Sequence, residues 1–156
     1  MSLFSSFAIS GSALTAEKLR LDTIAGNMSN LNTTRSPGGG PYQRRTVVFA
    51  EQLEEARERM IPSRGRGRTV RQPEHPMEPG MGVRVHAIYK DHRDPRLVYD
   101  PDHPDADPET GYVAYPNIEV AKEVTDLITT QRSYEANSTV FKTTKEIYQK
   151  ALEIGR

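Results

Sequence analysis

The two ends of the chain and its middle carry different patterns of apolar positions. Near the N-terminus, apolar side chains recur every seven residues and are joined by others toward residue 31; they are Phe7, Leu14, Leu21, Ile24, Met28 and Leu31. This spacing places them along one side of a helix. Residues 30–40 are rich in Asn, Pro and Gly, which end helices. The pattern predicts an amphipathic helix to about Asn32.

The C-terminal segment keeps the seven-residue spacing more strictly. Its apolar stripe consists of Val120, Leu127, Tyr134, Phe141 and Tyr148, with Val124 and Leu152 at the adjoining position. Such a stripe is typical of a coiled-coil seam. Pro116 suits the start of this helix and Gly155 its end, so we predict a helix of about 36 residues, roughly 54 Å long.

A second apolar stripe lies on the later half of the same predicted helix. Val140, Ile147 and Ile154 fall nearly opposite Phe141 and Tyr148, since each residue turns the helix by about 100°. Two apolar faces call for two packing partners. We therefore expect the terminal helices to pack against each other and against neighbouring molecules, and to become ordered on assembly. The alternative, an intramolecular helical hairpin that buries a single face, remains open.

The middle of the chain predicts short strands separated by turns. Val, Ile and Tyr are enriched between Gly and Pro borders at 42–49, 83–89, 97–99 and 112–115. Phe49, Leu53, Ala56 and Met60 have the spacing of a short helix, and a loop follows over 62–79. The predicted fold class is α+β. It has a helical segment over 1–34, an inserted small β-rich domain over 35–115 with a flexible loop near 62–80, and a second helical segment over 116–156.

Composition narrows the possible functions. The 156 residues leave room for one compact domain, or for a small one carried on long helices. The 21 basic and 21 acidic side chains balance, so no net field attracts the chain to nucleic acid or an anionic membrane. The absence of cysteine excludes disulfides and thiolate sites. The uncharged first 16 residues lack the basic start of a cleavable secretory signal.

An acidic run is the strongest candidate for a ligand site. It comprises Asp100, Asp102, Asp105, Asp107 and Glu109, and closely spaced carboxylates suit Ca²⁺. The run lacks the glycine of an EF-hand loop, and its prolines favour an extended turn whose carboxylates cap turns or meet arginines. We predict no metal site. A soluble calcium-binding or coiled-coil adaptor module remains the alternative function.

Two further groups suggest binding or catalysis but match no known pattern. The Arg64-Gly65-Arg66-Gly67-Arg68 tract could neutralise phosphates, but it lacks the interleaved aromatic residues of nucleic-acid modules. The histidines have no metal-ligand spacing, and no serine occupies a nucleophile elbow. We therefore predict no catalytic residue and no cofactor. For three asparagines at the end of the first helix we expect capping and inter-subunit hydrogen bonds; they are Asn27, Asn30 and Asn32.

Three blocks of sequence resemble the flagellar basal-body rod protein family. The first covers 10–14, 19–22 and 27–32 and is similar to the Asn-rich signature of the family's N-terminal helix. The second covers 41–49, 97–107 and 111–117 and is typical of the proximal-rod members. The third covers 132–137 and 151–155 in the closing helix. The chain departs from the family at Gly26, where a larger polar residue is usual, and at 51–80, which is longer and more basic.

The resemblance implies a non-enzymatic structural role in the proximal rod. Its terminal helices would pack as a coiled-coil-like hairpin that lines the inner tube, with the β-rich domain outside. Its partners would be copies of itself, other rod proteins, the flagellar type III export apparatus and possible contacts in the surrounding rings, with no nucleic acid and no membrane insertion. The expected location is the flagellar basal body, in the rod within the periplasm.

Overall fold

Along the chain, one long helix comes first, four short strands follow, and a second long helix comes last. The computed structural model describes residues 3–52 and 82–154. Its elements are α1 (Leu3–Ser29), β1 (Arg45–Glu51), β2 (Val83–Lys90), β3 (Arg96–Tyr99), β4 (Tyr112–Tyr115) and α2 (Val120–Ile154). The α+β prediction is confirmed at this level. The predicted helical positions Leu53, Ala56 and Met60, the predicted loop over 62–79 and the Arg-Gly tract lie outside the described residues.

The strands form two separate antiparallel pairs rather than one sheet. β1 pairs with β2, with a register shift between Val48 and Phe49, and β3 pairs with β4. The first pair lies against α1 and buries Val47, while β4 buries Val113 completely. β1 begins three residues later than the predicted strand, because the Tyr42 N–H donates to the Thr33 carbonyl (3.0 Å) instead of to a strand.

The two helices pack side by side and run antiparallel. Asn27 near the end of α1 contacts Glu123 near the start of α2, whereas Phe7 contacts Phe141. In the described part of the chain the buried apolar side chains include Ala16, Ile24, Val47 and Val113, and the buried polar ones are Ser10, Asn27, Glu123, Thr130 and Thr144. Small and polar side chains thus occupy much of the interior, and large apolar ones remain partly outside it.

A glycine brings the β1–β2 pair close to α1. Gly82 has a φ of +116°, a backbone conformation that favours glycine, and a β-carbon there would lie 2.3 Å from the Ser12 Oγ. The next residue, Val83, donates its N–H to that Oγ (3.1 Å), and the Ser12 hydroxyl donates to the Ile9 carbonyl (2.8 Å). No helix in the described parts of the chain is long and apolar enough to cross a membrane.

Candidate functional site

A buried polar cluster joins α1, the segment before β1, and α2. Asn27 is 1% exposed and Glu123 is fully buried. The Asn27 side-chain amide donates to the Arg45 carbonyl (2.8 Å) and to Glu123 Oε2 (3.1 Å). Its Oδ1 accepts the Arg45 N–H (2.9 Å) and the Tyr42 hydroxyl (3.2 Å). Asn27 therefore forms four hydrogen bonds, two to the backbone of Arg45 and two to side chains from the rest of the cluster.

An arginine neutralises the buried carboxylate. Arg44 donates from Nε to Glu123 Oε1 (2.6 Å) and from one terminal nitrogen to Thr46 Oγ1 (2.7 Å), and its other terminal nitrogen lies 3.5 Å from Asp126. Pairing is required here, because a buried charge without a partner is strongly destabilising. Burial also raises the pKa of Tyr42, whose hydroxyl donates to Asn27 Oδ1.

The other end of the helix pair is held by an aromatic contact. The rings of Phe7 and Phe141 lie 5.0 Å apart in an edge-to-face arrangement with an interplanar angle of 82°. Of the predicted stripe on α1, Ile24 is buried. The other five members are partly buried, namely Phe7, Leu14, Leu21, Met28 and Leu31.

The face of α2 toward α1 is more polar than the heptad predicts. Its buried positions are Glu123, Thr130 and Thr144, spaced by seven or fourteen residues, and Leu127, Phe141 and Tyr148 are partly buried. The other predicted seam residues, Val120, Val124, Tyr134 and Leu152, are exposed. The contact face is therefore shifted, because Asn27 requires a hydrogen-bond acceptor opposite it and small side chains such as Ser10 and Ala16 let the helices approach closely.

The second predicted apolar stripe of α2 is exposed. Val140 and Ile147 are each 51% exposed and Ile154 is 86% exposed. On the first half of the helix, Val120, Val124 and Ile128 form another exposed row at a spacing of four. Within the described residues, neither row is covered by the chain itself.

The three signature asparagines have three different environments. Asn27 holds the buried cluster. Asn30 donates from its amide to the Gly26 carbonyl (2.8 Å) and accepts from the Thr33 hydroxyl (3.0 Å), as expected for a group at a helix end. Asn32 is exposed. The inter-subunit bonds predicted for these residues remain a prediction.

Two carboxylates of the acidic run accept hydrogen bonds in turns and loops, and one of them also forms an ion pair. Asp105 accepts from the Thr34 hydroxyl (2.7 Å) and lies 2.9 Å from Arg35. The Glu109 N–H and the Thr110 hydroxyl donate to Asp107 and lower the pKa of its carboxyl. Among residues 3–52 and 82–154, no group of three or more His, Asp or Glu side chains is placed to hold a metal ion.

Comparisons with known proteins identify the architecture. The model "Flagella basal body rod protein" matches residues 7–35, and the model "Flagellar basal body rod FlgEFG protein C-terminal" matches residues 109–154. The flagellar basal-body rod protein FlgC of Bacillus subtilis is 40% identical over all of both chains. FlgC of Borreliella burgdorferi is 38% identical over 99% of this chain and 98% of its own, and FlgC of Salmonella typhimurium is 34% identical over the whole of each.

This chain belongs to the FlgC family of flagellar basal-body rod proteins. The two rod models fall on α1 and on β4 with α2, so they include both helices that the buried cluster joins. As a FlgC family member it is a structural component of the rod of the flagellar basal body and not an enzyme. The comparisons give no support to the alternative of a calcium-binding or adaptor module.

Two residues that matter to this FlgC family fold were not among the predicted site residues. Glu123 and Arg44 form the buried ion pair at 2.6 Å, but neither interrupts an apolar pattern. Glu123 is one of several charged residues along α2, so the sequence offered no signal that singled it out. Its partner could not be chosen from the many arginines of the chain by pattern alone.

Proposed function

We propose that this chain assembles helically with copies of itself and with other rod proteins to form the proximal part of a torque-transmitting shaft and export channel. The relatives are named as rod proteins, and a rod requires interfaces that repeat without closing on themselves. α1 and α2 would line the inner tube as a coiled-coil-like hairpin, and residues 35–115 would form the outer β-rich domain. Passage through the flagellar type III apparatus into the periplasm, and contacts with basal-body rings, belong to this proposal.

One observation supports it above the others. α2 carries large apolar residues on sides that α1 does not cover, and the exposed fractions of Val140, Ile147 and Ile154 are 51%, 51% and 86%. Fully burying a side chain of this size contributes about 1.5 to 3 kcal/mol, so covering the exposed half of Ile147 contributes about 1 kcal/mol at each contact. Repeated along a rod, such contacts favour assembly, and a charge placed among them opposes it.

The test places an aspartate on one side of α2 at a time. Ile147→Asp puts a charge on the proposed contact row. The control, Gln149→Asp, introduces an aspartate two positions away. This position is also exposed but lies about 200° around the helix. We expect Ile147→Asp, like Val140→Asp, to stop rod assembly and swimming while the chain is still exported and folded. Gln149→Asp should swim normally.

A third variant separates assembly from folding. Phe141 is in ring contact with Phe7, so Phe141→Asp should damage the helix pair itself and lower the helical circular dichroism of the purified chain. Normal swimming of both Ile147→Asp and Val140→Asp would contradict the proposed assembly surface. Equal loss of swimming in Gln149→Asp would show that charge on α2 matters irrespective of face.

A further inference from the structure

The outer face of the β3–β4 pair is apolar, aromatic and uncovered. The register Leu97↔Ala114 and Tyr99↔Tyr112 places these four side chains on one face. Leu97 is 63% exposed, Tyr99 65% and Tyr112 45%, while Val113 on the opposite face is fully buried. The Tyr99 and Tyr112 rings contact each other edge-to-face at 5.4 Å. A shallow groove of about 470 Å³ runs along this face, beside Asp105 and Asp107.

Negative charge borders this outer face. Asp105 and Asp107 already accept hydrogen bonds within the chain. The carboxylates of Asp100, Asp102 and Glu109 form no hydrogen bond or ion pair within the described parts of the chain. Tyrosine rings attract cations at their faces, and carboxylates at the rim pair with guanidinium groups. The outer face therefore has the chemistry of a site for an arginine-bearing segment.

The chain itself contains a segment of that chemistry. Residues 57–71 carry six arginines and one glutamate. Arg64, Arg66 and Arg68 alternate with glycines, and in an extended bound form such spacing directs all three side chains to one side, about 6.6 Å apart. Glycine between them permits close approach of the backbone to the tyrosines.

We propose that residues 57–71 of one copy bind the outer β3–β4 face of a second copy in the rod. The inference rests on the proposed assembly function, and it names one of the contacts that this assembly uses. Arginine side chains would stack on Tyr99 and Tyr112 and pair with the free carboxylates at the rim. The contact is of the head-to-tail kind, since the two surfaces are different parts of the same molecule.

The position of the two surfaces along α1 favours a second copy over the same one. Residues 57–71 lie in sequence between Gln52 and Gly82. The described chain places these two residues beside Ser12. The β3–β4 loop contacts Thr34, beyond the other end of α1. Ser12 and Ser29 alone are about 26 Å apart along the helix. The distance in sequence from Gln52 to Arg66 is 14 residues, and a random-coil stretch of that length would have a typical end-to-end distance of only about 20 Å.

Cross-linking in cells tests the contact in the intact basal body. The chain has no cysteine, so introduced cysteines are unique. Two differently tagged copies are expressed together, one carrying Arg66→Cys and the other Leu97→Cys, and a short thiol cross-linker is added. We expect a product containing both tags. The control replaces Leu97→Cys by Thr125→Cys, an exposed position on α2, and should give about tenfold less.

Charge reversal provides the second test. In the copy that carries Arg66→Cys, Arg64→Glu and Arg68→Glu combined should lower the yield of the two-tag product about tenfold. Adding Asp102→Arg and Glu109→Arg to the copy that carries Leu97→Cys should restore most of it. Asp102 and Glu109 are exposed, so these two substitutions should leave the fold intact. Absence of the two-tag product, a product containing a different protein, or an unchanged yield after reversal would each overturn the proposal. If the reversed variant still assembles rods while Ile147→Asp does not, the rod function stands and only this contact fails.

Discussion

Replacing Asn27 by alanine should destabilise the chain more than any other substitution among its signature asparagines. The substitution removes four hydrogen bonds and leaves the Arg45 N–H, the Arg45 carbonyl and Glu123 Oε2 without their present partner. An unsatisfied buried polar group costs about 1 to 3 kcal/mol. The adjoining cavity of about 180 Å³ has both polar and apolar side chains in its lining and can admit water, which places each cost near the lower limit. We therefore expect a loss of about 3 to 4 kcal/mol.

Urea unfolding of the purified chain, followed by far-ultraviolet circular dichroism, measures this loss. The matched control is Asn32→Ala, in the same sequence motif but exposed, which should change the free energy of unfolding by less than about 0.5 kcal/mol. Glu123→Gln serves as a second probe, because it keeps the shape of the cluster while weakening the pair with Arg44. If Asn27→Ala costs no more than Asn32→Ala, the buried cluster does not stabilise the helix pair and the reasoning is wrong.

Three smaller predictions follow from local geometry. Gly82→Ala should lower stability by about 1 to 3 kcal/mol because its φ and its approach to Ser12 both exclude a β-carbon, as thermal melting would show. Gly26→Ala should raise stability by about 0.5 to 1 kcal/mol, since the site is helical and open, and a lower melting temperature would contradict this. Hydrogen bonds from Arg93 lower the pKa of Asp91 to about 2 from 3.8, so this pair contributes stability above about pH 4 that is lost toward pH 2. In Arg93→Ala, an NMR titration should find the pKa of Asp91 raised toward its ordinary value of 3.8 but still below it, because the backbone N–H of residue 93 keeps its hydrogen bond to Asp91 Oδ1.

The helices and strands follow from local patterns, and their limits were nearly right. α2 begins at Val120, four residues after the proline that predicts its start, and β4 spans the predicted residues. α1 ends at Ser29, because the last N–H groups, those of Asn30 and Leu31, turn back to carbonyls three residues earlier. Helical periodicity, strand alternation and Gly or Pro punctuation depend on neighbours in sequence, so a sequence contains this information directly.

The sequence was a poorer guide to which apolar residues the fold covers. The heptad predicts a seam through Val120 and Tyr134. Both are exposed in the single chain, whose face toward α1 is centred on Glu123, Thr130 and Thr144, so packing of this seam against neighbouring molecules stays a prediction. A heptad repeat shows that residues share a side of a helix, but it does not show which element packs against that side. The side chains opposite are on α1, and small or hydrogen-bonding groups there draw polar residues inward.

The sequence alone determined the fold class, the positions of the long helices and the family to which the chain belongs. Tertiary structure decided the pairing within the cluster of Asn27, Glu123 and Arg44 and showed which apolar rows the described chain leaves open. The reason is physical: Asn27 and Glu123 are 96 residues apart, and a bond between them depends on how three elements meet in space, which no local pattern specifies.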